Sequence, residues 1–98
     1  MSTWWLYVVR CSDDSLYTGV STDVTRRIGQ HNSGKGAKYT ASRRPVVLQA
    51  QWLIGNRSQA LKAEYAFKRL PKVAKERCIR ERLQATDILK LLKMETGT

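Results

Sequence analysis

The stretch Trp4-Trp5-Leu6-Tyr7-Val8-Val9-Arg10-Cys11-Ser12-Asp13-Asp14-Ser15-Leu16-Tyr17-Thr18-Gly19-Val20 reads as two strands joined by a turn. Trp4 to Cys11 is rich in β-branched and aromatic residues, Ser12 to Ser15 is turn chemistry, and Leu16 to Val20 resumes the strand pattern. Together they predict a hairpin. Paired residues in a hairpin keep a constant index sum. A four-residue loop at 12–15 gives a sum of 27 and turns Tyr7 and Tyr17 to opposite faces. If the two tyrosines serve one site, the sum must be even, through an odd-length loop or a bulge, and that is the expectation.

Outward from the hairpin, Ser21-Thr22-Asp23 signals a helix start, with Thr22 as N-cap and Asp23 complementing the dipole. This helix runs over 23–32 with Val24 and Ile28 as a narrow apolar stripe, and Gly34 ends it. Lys35 to Arg44 is a basic loop closed by Pro45, and Val46 to Ile54 is a third strand. Asn56-Arg57-Ser58-Gln59 fits a capping box for a second helix reaching Leu70. Pro71 suits the first position of a third helix carrying Val73, Cys78, Ile79 and Leu83. Thr86 caps a short last helix over 87–94, and the tail 95–98 is expected to fray. The order β-β-α-β-α-α-α predicts an α/β fold of the α+β sandwich kind. It has a small three-stranded sheet, antiparallel or mixed, flanked by helices. We expect one domain over 1–98, with its core at about 4–83.

With 98 residues there is room for one core, and 42% apolar residues is too many for a disordered chain. The longest uncharged apolar run, Trp4 to Val9, is far short of the ~20 residues that span a bilayer. The opening Met1-Ser2-Thr3-Trp4 has no basic segment leading into an apolar one, which argues against export and for the cytoplasm. Eighteen Lys and Arg against eight Asp and Glu leave a formal net charge of +10, which favours an acidic partner, most commonly nucleic acid. Cys11 and Cys78 lie far apart, with no CxxC and a single His in the chain, so they read as small buried apolar residues.

Three features carry chemistry. Arg27 and His31 are four apart on the first helix and share a face. From Arg26 to Arg44 the chain has six Lys or Arg, one Tyr and no acid. Arg26, Lys35, Lys38, Arg43 and Arg44 suit phosphate backbone, and Tyr39 suits base stacking. Glu64 is the sole acid between Asp23 and Glu76, on the otherwise apolar middle of the second helix. It is either functional or a plain pair with Lys68, worth a few tenths of a kcal/mol. Tyr7 and Tyr17, one in each strand of the hairpin, are by spacing alone packing residues as readily as chemical ones.

Leu6-Tyr7-Val8 and Tyr17-Thr18-Gly19 resemble the two halves of the GIY-YIG nuclease signature. The Arg and His of the following helix are matched by Arg27 and His31, and the later metal-binding Glu by Glu64. The stretch from Thr22 through Asn32, then Gly36-Ala37-Lys38-Tyr39-Thr40 and Arg44-Pro45, is similar to the small stand-alone bacterial members, relatives of the structure-specific repair nucleases. The first half departs from the family pattern in reading Trp5-Leu6-Tyr7. The Asn usual a dozen or so residues after the Glu is also missing, since positions 74–80 read Ala-Lys-Glu-Arg-Cys-Ile-Arg.

The resemblance implies a metal-dependent DNA endonuclease acting in repair or recombination. The alternative is a non-catalytic nucleic-acid-binding module on the same scaffold. It implies Mg²⁺ or Mn²⁺ on Glu64, Arg27 on the scissile phosphate, and Tyr7, Tyr17 or both orienting or deprotonating water, with His31 accepting the proton or orienting a partner. A free tyrosine is about one part in a thousand phenolate at pH 7. The neighbouring Arg27, a metal and the basic field are expected to lower that pKa. The fit of branched DNA as substrate rests on the lack of any second reading domain in 98 residues.

Overall fold

The computed structural model describes residues 2–94, and the expected fraying of 95–98 lies outside them. Three strands, β1 (Trp4–Arg10), β2 (Leu16–Ser21) and β3 (Val47–Gly55), form one sheet in the order β2-β1-β3 with both pairings antiparallel. The helices are α1 (Val24–Asn32), α2 (Lys38–Ala41), α3 (Arg57–Lys68), α4 (Lys72–Arg80) and α5 (Ala85–Leu91). The α+β architecture is the expected one, with one short helix, α2, added inside the basic loop.

The central strand explains the layering. Leu6, Val8 and Val9 are fully buried and Tyr7 is nearly so, because β1 is covered on both faces. Leu6 and Val8 pack with Trp52, Ala63, Phe67, Cys78 and Ile88 from β3, α3, α4 and α5. Tyr7, Val9 and Cys11 face the other way, toward Val24 and Ile28 of α1, Val46 and Leu48, with Tyr17 beside them. Alternation along one strand thus feeds two separate cores. Trp52 donates its indole N–H to the Leu83 carbonyl at 2.8 Å, so this large buried ring leaves no polar atom unpaired.

The hairpin register is even, as a shared tyrosine face requires. Tyr7 pairs with Gly19, Val9 with Tyr17 and Arg10 with Leu16, which leaves a five-residue loop, Cys11 to Ser15. Asp14 takes φ +70 in that loop, and the Asp13 carboxylate accepts from the Ser15 N–H at 3.1 Å. Between β1 and β3 the register shifts at Trp4/Trp5 and again at Val8/Val9, two irregularities that twist the sheet locally.

Several expected boundaries move. Asp23, not Thr22, caps α1: its backbone is extended and its carboxylate accepts from the Arg26 N–H at 3.1 Å, which shifts the helix start to Val24. The Asn56–Gln59 capping box of α3 forms in both directions, each bond 2.9 Å. Pro71 precedes α4 as its N-cap rather than opening it, because its ψ of 156 is still extended. Val73 is 76% exposed and takes no part in the core, and Leu83 lies beyond the helix. The last helix begins at Ala85 and ends at Leu91, not 87–94 behind a Thr86 cap, because the Asp87 carboxylate accepts the Gln84 N–H at 3.0 Å and caps it earlier. Among the described residues no helix is long and apolar enough to cross a membrane.

Candidate functional site

The site begins with Tyr7. Its ring crosses the hairpin to lie over Gly19, its cross-strand partner, where a side chain would collide with the phenol. The hydroxyl then reaches α1, where it meets His31 Nε2 at 2.8 Å in a fully buried contact. His31 Nδ1 lies 2.7 Å from the Thr40 hydroxyl, and that hydroxyl donates to the Ala37 carbonyl at 3.0 Å. These contacts fix the protons. Thr40 has one hydroxyl proton, and the Ala37 carbonyl can only accept. Thr40 Oγ1 therefore accepts from His31 Nδ1–H, His31 Nε2 carries a lone pair, and the Tyr7 O–H donates to it.

The loop after α1 closes over this chain of hydrogen bonds. Asn32 clasps Val46, donating to its carbonyl at 3.0 Å and accepting from its N–H at 2.7 Å, which ties both ends of the basic segment together. Within the segment, Gly36 passes so close to His31 that a Cβ would sit 2.9 Å from the His31 Cα. Gly36 and Thr40 are the residues that sequence reasoning left without a role. Their only signal was membership of the Gly36–Thr40 stretch that resembles the family.

Around the buried pair stand the other expected residues. Burial of the Tyr7 phenol pushes its pKa up to about 12, overcoming the nearby Arg27 guanidinium, which acts to lower it; Tyr17 and Glu64 add to the rise. Arg27 thus acts on Tyr7 in the expected direction, but loss of hydration outweighs this one cation and the net shift is upward. Burial, aided by Arg27, moves His31 below its ordinary pKa and keeps the imidazole neutral. Arg27 is half-buried and its Nη1 donates to Gln30 Oε1 at 3.0 Å.

Tyr17 is half-buried on edge strand β2. Its ring meets the His31 edge at 5.4 Å and stacks on Tyr39 at 5.8 Å with 23° between planes. Lys68 of α3 stands 5.5 Å from the Tyr17 ring and 3.4 Å from Glu64. The structure therefore brings Tyr7, Tyr17, Arg27, His31 and Glu64 near one another around edge strand β2, which α1 and α3 flank. The Glu64–Lys68 pair also exists, so both readings of that carboxylate share one geometry.

The basic segment divides. The Arg43 guanidinium lies 3.9 Å from the Tyr39 ring centroid and pairs with Asp13 at 3.0 Å, building a column from Tyr17 through Tyr39 to Arg43. Arg26, Lys35, Lys38 and Arg44 are exposed, and among the described residues none of them meets a carboxylate within 4.0 Å.

For a metal, the donors decide. No group of three or more His, Cys, Asp or Glu gathers among the described residues, which does not fit a closed zinc site. Glu64, with 22% of its side chain exposed, is a single hard carboxylate beside the site. That fits an ion such as Mg²⁺, which keeps several waters and binds through one or two carboxylates plus substrate phosphate.

Comparison with known proteins agrees with this geometry. The GIY-YIG catalytic domain matches residues 3–77. A UPF0213 protein of Cupriavidus necator is 49% identical over 86 residues, covering 88% of this chain and 92% of that one. The UPF0213 protein YhbQ of Escherichia coli is 45% identical over 93 residues, covering 95% and 93%. Among solved structures, the solution NMR structure of a UPF0213 protein of Bacillus halodurans aligns with a TM-score of 0.52 at 44% identity, covering 80% and 83%. That of an E. faecalis protein aligns at 0.57 and 43% identity, covering 83% and 86%. The matched span holds both signature tyrosines, the Arg27–His31 face and Glu64, and on that match the chain belongs to the GIY-YIG family, a nuclease family whose members generally use divalent metals and DNA.

Proposed function

We propose that this protein is a metal-dependent endonuclease that hydrolyses phosphodiester bonds in branched or damaged DNA, serving repair or recombination in the cytoplasm. The observation that carries the reading is the 2.8 Å contact in which a buried, neutral His31 accepts from Tyr7. A phenol with a pKa near 12 is ionised in only about one molecule in 10⁵ at pH 7, and pre-forming the phenolate would cost about 7 kcal/mol. Tyr7 therefore acts as a relay. It takes a proton from the attacking water while its own proton passes to His31 Nε2, so no free phenolate forms. Thr40 and Ala37 hold the imidazole in the tautomer this needs. Arg27 grips the scissile phosphate, which its planar fork suits, and Tyr17 orients the water. Glu64 holds Mg²⁺ or Mn²⁺, which when bound neutralises charge at the leaving 3′ oxygen. Arg26, Lys35, Lys38, Arg43 and Arg44 track the backbone, while Tyr39, expected to stack on a base, is instead held between Tyr17 and Arg43; such contacts suit recognition of shape over sequence.

The assay is nicking of a branched duplex with Mg²⁺ or Mn²⁺, wild type beside Glu64→Gln. Undiminished cleavage by the variant sinks the metal assignment. A second reading, a binding module without catalysis, is favoured by Lys68 standing 3.4 Å from Glu64 and by the absence of Asn from positions 74–80. It predicts no cleavage by the wild type on any branched, nicked or single-stranded substrate.

A further inference from the structure

The outer face of α3 carries a groove that none of the roles above uses. It is a shallow, open trough along one helix face, lined by Arg57, Leu61, Lys62, Tyr65 and Arg69 among others, with no carboxylate in its lining among the described residues. Leu61 is 39% exposed and Tyr65 55%, so the two side chains present an apolar strip to solvent between the cations. Arg69 donates to the Tyr65 hydroxyl at 2.9 Å and steadies the ring. At the other end the Arg57 guanidinium lies 5.9 Å from the half-buried Trp4 ring. Arg57 to Arg69 spans about 18 Å of helix, room for several nucleotides.

Position points to the occupant. Successive residues on a helix are about 100° apart, so Tyr65 lies next around the helix from Glu64, while Leu61 and Lys68 lie one turn to either side. The groove thus borders the edge of α3 that faces Tyr17. We propose that it binds an unpaired strand of nucleic acid, with bases stacked on Tyr65 and Leu61 and phosphates on Arg57, Lys62 and Arg69. A strand passing Glu64 runs directly into it, which gives a branched substrate a seat for its single-stranded arm. The direction of that strand rests on the nuclease reading of Glu64, whereas the groove's affinity for a single strand does not. A second copy of the chain is a poor occupant, because it brings three more cations and another +10 of net charge against this face.

Fluorescence anisotropy in a chelating buffer tests the groove apart from cleavage. The probes are a labelled oligothymidylate and a blunt duplex. Tyr65→Ala is expected to weaken oligothymidylate binding roughly tenfold, with duplex binding changed less than about twofold, and Tyr65→Phe to retain the affinity. Arg57→Gln/Lys62→Gln/Arg69→Gln should flatten the single-strand log–log salt slope by about 2, at roughly 0.7 per phosphate. Circular dichroism and urea midpoints check that the variants fold. Unchanged oligothymidylate binding in both variants overturns the proposal, as does an equal loss on both probes. Competition by polyglutamate with the same Tyr65 dependence overturns it in favour of an acidic polypeptide, and a concentration-dependent dimer abolished by Tyr65→Ala does so in favour of self-association. A wild type that binds the oligothymidylate through Tyr65 but nicks nothing upholds the groove and defeats the nuclease reading.

Discussion

Gly19 lies directly across the hairpin from Tyr7, and the Tyr7 ring fills the space its side chain would take. The glycine of the second half-signature therefore serves the tyrosine of the first. Gly19→Ala is expected to push the ring off His31 and destabilise the fold by roughly 1–3 kcal/mol, the usual range for overpacking. Tyr7→Phe removes the nearest clashing atom, so Tyr7→Phe/Gly19→Ala should lose less than the sum of the single variants. Urea unfolding of the four proteins checks this, and strict additivity would contradict it.

Stability should bend at both ends of the pH range. His31 has a folded pKa below its unfolded value, so its contribution is present above about pH 6.5 and is lost as pH falls through the lower folded value. Tyr7 has a folded pKa raised to about 12, so its contribution is present below about pH 10 and is lost as pH rises toward 12, up to about 3 kcal/mol. Chemical denaturation across pH measures both limbs. Tyr7→Phe should abolish the alkaline step; an unaltered step in that variant would assign it elsewhere.

Binding should separate Arg27 from Glu64. Glu64→Gln loses metal affinity yet binds DNA as tightly as wild type or more so, because a negative charge beside phosphate is gone. Loss of its half-exposed pair with Lys68 costs a few tenths of a kcal/mol of stability. Arg27→Ala weakens DNA binding roughly ten- to a hundredfold, the scale of a lost charged hydrogen bond. Anisotropy in chelator and metal titration by calorimetry give the two readouts. Equal DNA affinity in both variants would remove Arg27 from the phosphate.

Duplex binding should centre on the acid-free segment and weaken steeply with salt, with a log–log slope of roughly −4 to −5 for ~4–6 phosphates. Neutralising Arg26, Lys35 or Lys38 should each flatten it by about 0.9. Arg43→Gln should do more than flatten the slope, since it also removes the guanidinium over Tyr39 and the Asp13 pair. Tyr39 mobility by NMR relaxation is the distinguishing measurement, and a rigid Tyr39 in Arg43→Gln would argue against the column.

The elements whose signals are local were legible in the chain. The Asn56–Gln59 box needs residues three apart, and it forms as read. The even hairpin register followed from asking two tyrosines to share a face. Where two local signals competed, at Thr22 and Asp23, the one with the hydrogen bond to the first turn won and the boundary moved. At the last helix the Thr86 signal lost to an Asp87–Gln84 contact that the sequence reading had not weighed.

The sequence by itself determined the strand and helix pattern and the positive charge, because periodicity and capping act over a few residues, while the ordered set of Tyr7, Tyr17, Arg27, His31 and Glu64 was legible through its resemblance to the GIY-YIG signature. Tertiary structure alone decided how those residues meet. The Tyr7–His31 bond spans 24 positions and the His31–Thr40 bond nine, and both are buried. Burial is a property of what packs from elsewhere in the chain, and it is burial that drives the Tyr7 pKa up, lowers that of His31 and encloses the Thr40 hydroxyl against the imidazole.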